Sequence, residues 1–278
     1  MKPFTSTKLL EQIDQAIIRA DVDRPRPYLG MSGIGSPCLR KIWLQWRWAK
    51  FETFSPRIKR LFNRGHLEEF RFTHYLRQAG YEVQDVDPNT QQQFELIAQD
   101  GHVMGHCDGI VKLPITKEPE WCIDEMKTHG EKSFNALKRA ASVKVAKYDH
   151  YCKMQRYMHA MGLGHALYMA VNKNTDALYL EIVSLDPRAI MYLLEIEADL
   201  VWRYTAPDRI SEDGDYWVCR FCTFQGICHY EEKVNRTCRM CYHARPVKEG
   251  KWICQKKDDQ ILPYQQQMKG CKKSFQVL

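Results

Sequence analysis

Apolar residues recur along this chain in two periods, and the order in which those periods alternate predicts its architecture. Leu9, Leu10, Ile13, Ile17 and Ile18 return every three to four residues and predict an opening helix over residues 5–20. Residues 21–36 are rich in Pro, Gly and Asp and predict a loop. Ser36-Pro37 then reads as a helix start, with Ser36 as N-cap and Pro37 in the first position; Cys38, Leu39, Ile42, Trp43 and Trp46 follow. The longest amphipathic run extends from Pro56 to Gly80, with Ile58, Leu61, Phe62, Phe70, Tyr75 and Leu76 as its apolar members and Gly80 as its stop. Gly65 interrupts it at a cost of about 1 kcal/mol relative to alanine, which predicts close approach by a neighbouring group.

Strand-like pieces follow at 81–86, 92–99, 102–113 and 120–127, then a helix at 144–162 ending on Gly162. Two further strands are predicted at 165–172 and 177–184, and Asp186-Pro187 opens a helix over 187–204. Helices, a run of strands, a helix, two more strands and a helix describe an α/β fold with a mixed sheet. Turn-rich residues 205–217 set this core apart from a cysteine-rich tail. Core packing accounts for Trp43, Trp46 and Trp48 better than stacking on a nucleobase does.

With 278 residues, 44% of them hydrophobic, the chain is long enough for one main domain and a small appendage. A net charge of +7 adds only a modest lean toward polyanions. Residues 1–10 lack the apolar stretch of a secretion signal, and no run of about 18 apolar residues exists, so a soluble, cytoplasmic protein with no membrane span is expected.

Eleven cysteines change the picture, because in a reducing compartment clustered cysteines bind metal more often than they pair. Cys107, Cys122 and Cys152 sit inside apolar segments and read as small hydrophobes. Cys219, Cys222 and Cys228 supply three ligands at short spacing, which His229 could complete locally or Cys38 from the other end of the chain. Spacing alone leaves zinc and an iron–sulfur cluster open there. Cys238, Cys241, Cys254 and Cys271 fit a tetrahedral structural zinc in a small ribbon, a staple that a tail with few large apolar residues needs.

The candidate chemistry lies in residues 102–127. Two strand-length runs flank a turn around residues 114–120; the first carries Asp108 and the second ends in Glu125-Met126-Lys127. Period-two alternation puts Glu125 and Lys127 on one face. If the strands pair with Asp108 near Glu125, two carboxylates and an ammonium converge, which suits a divalent-metal phosphodiester hydrolase. The same spacing recurs at Glu231 and Lys233 and at Glu249 and Lys251, so placement carries the signal. His66 and Glu69 share a face of the long helix.

Taken in order, Gly65 and Glu69 on a helix, Gly105-His106-Cys107-Asp108-Gly109 on a strand, Asp124-Glu125-Met126-Lys127 on the next, and Gln155 on the following helix carry a resemblance. Over roughly residues 30–230 the chain resembles the RecB-type branch of the PD-(D/E)xK nuclease superfamily, and its split cysteine pattern is similar to that of the iron–sulfur members among CRISPR-adaptation nucleases and phage-encoded relatives. The resemblance implies a restriction-endonuclease-like core, a central mixed sheet flanked by helices, with a zinc-ribbon-like tail. It divides the chain into an N-terminal helix and loop (1–35), the nuclease core (36–230) and a zinc-binding module (231–278). It implies that Asp108, Glu125, the Met126 carbonyl and Glu69 hold Mg²⁺ or Mn²⁺, with His66 competing for the place of Glu69. Lys127 would orient the attacking water, and Gln155 would contact the metal site or DNA backbone. Relatives have Tyr four residues after that Gln, where this chain has His159, with Tyr157 nearer. Cys38, Cys219, Cys222 and Cys228 would hold a 4Fe–4S cluster. The implied activity is a DNA exonuclease of phage or bacterial recombination, repair or genome processing, acting on single-stranded or end-resected duplex DNA beside a recombination or single-strand-annealing partner. A DNA-binding or scaffolding module that keeps the fold without turnover is the alternative.

Overall fold

The computed structural model describes residues 5–271 and 277. Helix α1 (Ser6–Ala20) is capped by the Thr5 hydroxyl, which accepts from Lys8 N. A two-residue strand β1 (Leu29–Gly30) leads through a 3₁₀ turn to helix α2 (Leu39–Trp46). That helix starts later than Ser36-Pro37 dictates: Cys38 is its N-cap, and Ser36 Oγ accepts from Cys38 N at 3.4 Å ahead of it. The reason is tertiary, since a Cβ on Gly35 would stand 2.6 Å from Asp149 Cα of a distant helix, and that contact sets the path of the chain here. Helix α3 (Pro56–Gln78) follows its local signals, with Ser55 Oγ accepting from Ile58 N and Gly80 at φ +89° beyond its end. A Cβ on Gly65 would meet nothing within 4 Å, so no described part of the chain makes the close approach expected there.

The strands are β2 (Val83–Gln84), β3 (Phe94–Ala98), β4 (Val103–Cys107), β5 (Gly109–Leu113), β6 (Glu120–His129), β7 (His165–Asn172) and β8 (Leu178–Ser184). Between β6 and β7 lie helices α4 (Glu131–Ala140), α5 (Val143–Ala146) and α6 (Tyr148–Met161); α7 (Pro187–Trp202) follows β8. The main sheet has the order β2-β5-β6-β7-β8, parallel at β6–β7 and antiparallel elsewhere. It is a mixed sheet flanked by helices, as expected. The run 102–113, read as one strand, is two: β4 joins a second sheet of order β1-β4-β3, β5 joins the main one, and Asp108 stands at the break.

Alternation along β6 and β7 sorts the core into two layers. Cys122, Met126, Leu167, Met169 and Val171 pack with Phe72 and Leu76 of α3. Ile123, Ala166, Tyr168 and Ala170 belong to the larger cluster on the opposite face, which contains Tyr151, Met154, Tyr157 and Met158 of α6. Buried on both faces, β7 reads as an unbroken apolar run rather than an alternating one.

Beyond α7 come α8 (Gln225–His229), β9 (Ala244–Val247), β10 (Lys251–Cys254), β11 (Gln260–Ile261) and α9 (Tyr264–Lys269), with β9, β10 and β11 forming a small antiparallel sheet. Its Trp252 is fully buried against Trp46 and His102, with ring centroids 5.1 and 6.2 Å apart. The turn at Gly250 lies on the turn at Gly101, with Gly250 N donating to Asp100 O at 2.7 Å. A Cβ on Gly101 would fall 2.8 Å from Gly250 N, so side chains are excluded where the two backbones meet. Trp43, Trp46 and Trp48 are buried in the core, as packing required. No helix among the described residues is long and apolar enough to cross a membrane.

Candidate active site

The break between the two sheets is what places Asp108. Gly109 pairs with Asp124 at the end of the β5–β6 ladder, and just beyond it the Asp108 carboxylate accepts from Met126 N at 3.2 Å, standing in for a backbone acceptor. Glu125 and Lys127 project from the same face of β6, toward α6. From α6 a further cation arrives: Lys153 Nζ lies 2.7 Å from Glu125 Oε2 and 3.4 Å from Asp108 Oδ1. Lys127 Nζ contacts Glu125 Oε1, donates to Met126 O at 2.8 Å and lies 3.7 Å from Asp108 Oδ2. One ammonium thus touches three of the four oxygen groups that the resemblance assigns to a cation; Glu69 is the fourth.

The electrostatics are those of a buried, balanced quartet. Glu125 is 0% exposed. Burial pushes its carboxyl up, and the Lys127 and Lys153 ammoniums more than reverse that, leaving it below its ordinary value. Burial works against the charge on Lys153 too, and Glu125 and Asp108 overcome it, holding the ammonium well above its usual range. Among the described residues neither Glu125 oxygen has a well-aligned hydrogen-bond donor, and the two lysines meet them as ion pairs. Asp124, on the opposite face of β6, is also fully buried, and neither of its oxygens has a partner among the described residues. Its burial first, and then the Asp108 and Glu125 charges, drive its carboxyl well above the ordinary carboxylate value.

Glu69 of α3 borders this quartet. Burial and then the Asp108 charge raise its carboxyl, with His66, Lys127 and Lys153 pulling the other way. Glu69 is half-buried and His66 exposed. Gln155 is placed elsewhere. Its amide nitrogen donates to Ser184 O at 2.9 Å and its oxygen accepts from Asp186 N at 2.7 Å, which fastens the β8–α7 junction. Two residues apart on a helix means about 200° of rotation, so Lys153 faces the acids and Gln155 faces away. Lys153 was missed in the sequence. The signal was there, since His150, Lys153 and Tyr157 form an i, i+3, i+7 stripe on one face of α6. Tyr157 lies under the site, its ring 5.1 Å from Lys153 Nζ, and a Cβ on Gly105 would come within 2.7 Å of that ring. His159 is exposed.

Cys38, Cys219, Cys222 and Cys228 line one small cavity together with Arg40, Lys41, Arg209 and His229. Burial, then the three sister thiols, push the Cys219 thiol up. Cys238, Cys241, Cys254 and Cys271 form a second neighbourhood: the Cys238 thiol is pushed to about 11 by burial and then by the other three. Among the described residues no group of three or more His, Cys, Asp or Glu is placed so that it could hold a metal ion. The acids are bridged by ammonium groups rather than by one another.

No protein-family model and no curated protein sequence matches this chain. Among solved structures it is similar to an alkaline exonuclease from Laribacter hongkongensis, at 14% identity over 68% of this chain and 90% of that one, with a TM-score of 0.44. The same exonuclease in complex with dAMP aligns at 13% identity over the same shares, with a TM-score of 0.45. A phage-related exonuclease from Haemophilus somnus 129PT aligns at 16% identity over 58% of this chain and 77% of that one, with a TM-score of 0.40.

Proposed function

We propose that this protein is a Mg²⁺- or Mn²⁺-dependent DNA nuclease, acting as an exonuclease, with its centre at Asp108, Glu125 and Lys127. The observation that carries the reading is the convergence of Asp108, Glu125 and the Met126 carbonyl on a single cation, the Lys127 ammonium. Hard oxygen donors, one carboxylate fully buried and without an aligned donor, suit a small divalent ion. Asp108, Glu125 and Met126 O, with Glu69 or His66 at the rim, would hold it. Once bound, the ion supplies an acidified water and a charge to offset the phosphate. Lys127 then carries the remaining positive charge toward the attacked phosphate, and Lys153, buried and doubly paired, keeps Glu125 ionised and in place.

The same reading assigns Cys38, Cys219, Cys222 and Cys228 to a 4Fe–4S cluster that ties the start of α2 to the end of the core. A cluster ligated by four thiolates is anionic, and Arg40, Lys41 and Arg209 around the cavity offset that charge. Cys238, Cys241, Cys254 and Cys271 are assigned to zinc. Metal analysis with anaerobic ultraviolet–visible spectra tests both assignments. End-labelled single- and double-stranded DNA with Mg²⁺ or Mn²⁺ tests the activity; Lys127→Ala should lower cleavage on the order of 100-fold. Full activity in that variant removes the reading, and DNA binding without cleavage by the unaltered protein favours a non-catalytic module.

A further inference from the structure

Beyond the quartet, the same two faces continue into a second polar cluster. His129 lies two residues past Lys127 on the inner face of β6, and His150 lies three before Lys153 on the inner face of α6. Their rings stack, with centroids 5.8 Å apart. Between them stands Tyr168 of β7, which pairs in register with Glu125. Tyr168 OH is 2.9 Å from His129 Nε2 and 2.9 Å from His150 Nδ1. On the far side of His129, Ser133 Oγ is 3.2 Å from Nδ1, and Lys147 Nζ donates to Ser133 Oγ at 2.7 Å.

These contacts form a chain with a direction. The Lys147 ammonium can only donate, so Ser133 must accept from it and place its own proton elsewhere. Among the hydrogen bonds of the described residues, the acceptor for that proton is His129 Nδ1. In the tautomer that leaves His129 Nδ1 free to accept from Ser133, His129 carries its proton on Nε2 and donates to Tyr168, Tyr168 donates to His150 Nδ1, and His150 keeps its proton on Nε2. Both imidazoles are neutral at physiological pH: burial first, then neighbouring lysines, bring each to about 4, with Asp149 opposing. His150 Nε2 lies 3.8 Å from Asp149 Oδ2, and its side chain keeps 19% exposure. His150 stacks on Tyr168 with ring centroids 5.8 Å apart, Tyr168 pairs in register with Glu125, and Lys153 follows His150 by one helical turn, so the ring neighbours the acids.

We infer that His150 is a substrate-contacting residue, whose Nε2–H donates to an oxygen of the scissile phosphodiester, and that Tyr168, His129 and Ser133 are positioning residues that fix its tautomer. The inference rests on the nuclease reading for the identity of the substrate, but the contact itself can be read without cleavage. A neutral imidazole held in one tautomer adds a directed donor to a site whose other cations are already paired with carboxylates. It discriminates by geometry rather than by charge.

Two measurements on the full-length protein test it. Histidine-ring ¹⁵N–¹H correlation spectra, assigned with His150→Gln, should show His150 protonated on Nε2, and that resonance should move when a short DNA duplex is titrated in with Ca²⁺ in place of Mg²⁺. In steady-state cleavage, His150→Ala should lower kcat on the order of 100-fold with KM little changed. His150→Gln, which keeps a donor near the same place, should recover part of that loss. Tyr168→Phe, which leaves His150 present but unanchored, should cost on the order of 10-fold in kcat. A His150 resonance unmoved by DNA, an Nδ1-protonated tautomer, or a kcat in His150→Ala equal to that of the unaltered protein overturns the inference. If the protein fails to cleave but the resonance still moves, the nuclease reading falls and the phosphodiester contact stands.

Discussion

Two of the clusters of buried charge in this molecule are satisfied in opposite ways. In the acid centre, Asp108 and Glu125 face Lys127 and Lys153 in ion pairs, yet both Glu125 oxygens lack an aligned donor. In the clasp between the core and the C-terminal sheet, Arg47 and Arg239 are each 1% exposed, and neither has a carboxylate partner among the described residues. Arg239 donates to Pro27 O, Trp46 O and Gln267 Oε1 at 2.7, 3.1 and 2.8 Å, and lies over the rings of Trp46, Trp48 and Trp252 at 4.6, 3.9 and 4.8 Å. Each of its three nitrogens donates to a fixed carbonyl or amide, and its faces meet aromatic rings. The acid centre keeps oxygens that only a movable cation satisfies. A buried charge whose partners are all backbone and rings is there for cohesion, whereas one whose partners are rival charges with lone pairs to spare is there for chemistry.

The largest effect expected from that contrast follows Glu125→Gln. Cleavage should fall on the order of 10³-fold or more, about 4 kcal/mol of barrier. Stability should fall too, by about 3 kcal/mol, because Lys153 loses its nearer partner while remaining buried. Adding Lys153→Met should restore the stability without restoring cleavage, as read by thermal denaturation and an end-labelled DNA assay on the same samples. Recovery of activity in the double variant would mean that the quartet is only structural.

The clasp should answer in the reverse sense. Arg239→Met leaves Trp46 O, Pro27 O and Gln267 Oε1 unsatisfied, and each such buried group costs about 1–3 kcal/mol, so a loss of about 4 kcal/mol is expected. Arg239→Lys should not rescue it, because an ammonium can neither reach three separated acceptors in a plane nor stack on three rings. Cleavage per folded molecule should be unchanged. Urea titration beside an active-site titration distinguishes the two clusters directly.

How much of this was legible in the sequence depended on how local each cause is. Ser55-Pro56, Gly80, Asp186-Pro187 and Gly162 act within a turn of themselves, and the ends of α3, α6 and α7 fell where they indicated. Glu125 and Lys127 share a face by simple alternation. The split of 102–113 at Asp108 was not legible, because nothing in Cys107-Asp108-Gly109 states that β4 and β5 pair in different sheets. Helix α4 went unread because it buries only Phe134 and Leu137. Lys153 was passed over in favour of Gln155, since which side of α6 meets the acids is set by packing across the sheet. The packing of Trp252 from the tail's sheet into the main hydrophobic cluster was not legible either, because its partner, Trp46, lies some two hundred residues earlier.

Asp124 sharpens the comparison by standing beside the acid centre without belonging to either pattern: it is buried, its oxygens have no partner among the described residues, and burial holds its carboxyl well above the ordinary value. Below about pH 4 the carboxyl is protonated in both folded and unfolded chains and contributes no difference. As the pH rises the unfolded chain ionises while the folded one stays protonated, because its folded value is raised. Each pH unit then takes about 1.4 kcal/mol from the unaltered protein until the folded group itself ionises. Asp124→Asn should therefore be nearly neutral at pH 4 and increasingly stabilising toward pH 7, measured by denaturation in the presence of a chelator. An equal gain at both pH values would show that packing, not ionisation, separates the two side chains.

A small effect on cleavage is expected from Gln155→Ala, at a residue whose amide faces the β8–α7 junction rather than the acids. Losing the bonds to Ser184 O and Asp186 N loosens the start of α7, at about 2 kcal/mol of stability. Asp186 keeps its own cap, accepting from Arg188 N and Ala189 N, so the helix should survive and the acids on the other side of α6 should not move. At a temperature where the variant is fully folded, kcat and KM on a short duplex should both stay within about threefold of the unaltered protein, the range of a distant, uncoupled site. A loss confined to kcat with normal stability would instead put the Gln155 amide in the cleft during turnover, which requires α6 to rotate on binding DNA. That rotation would carry Lys153 away from Glu125, so the same measurement on Lys153→Ala, whose loss should then be small rather than large, decides which face of α6 the substrate meets.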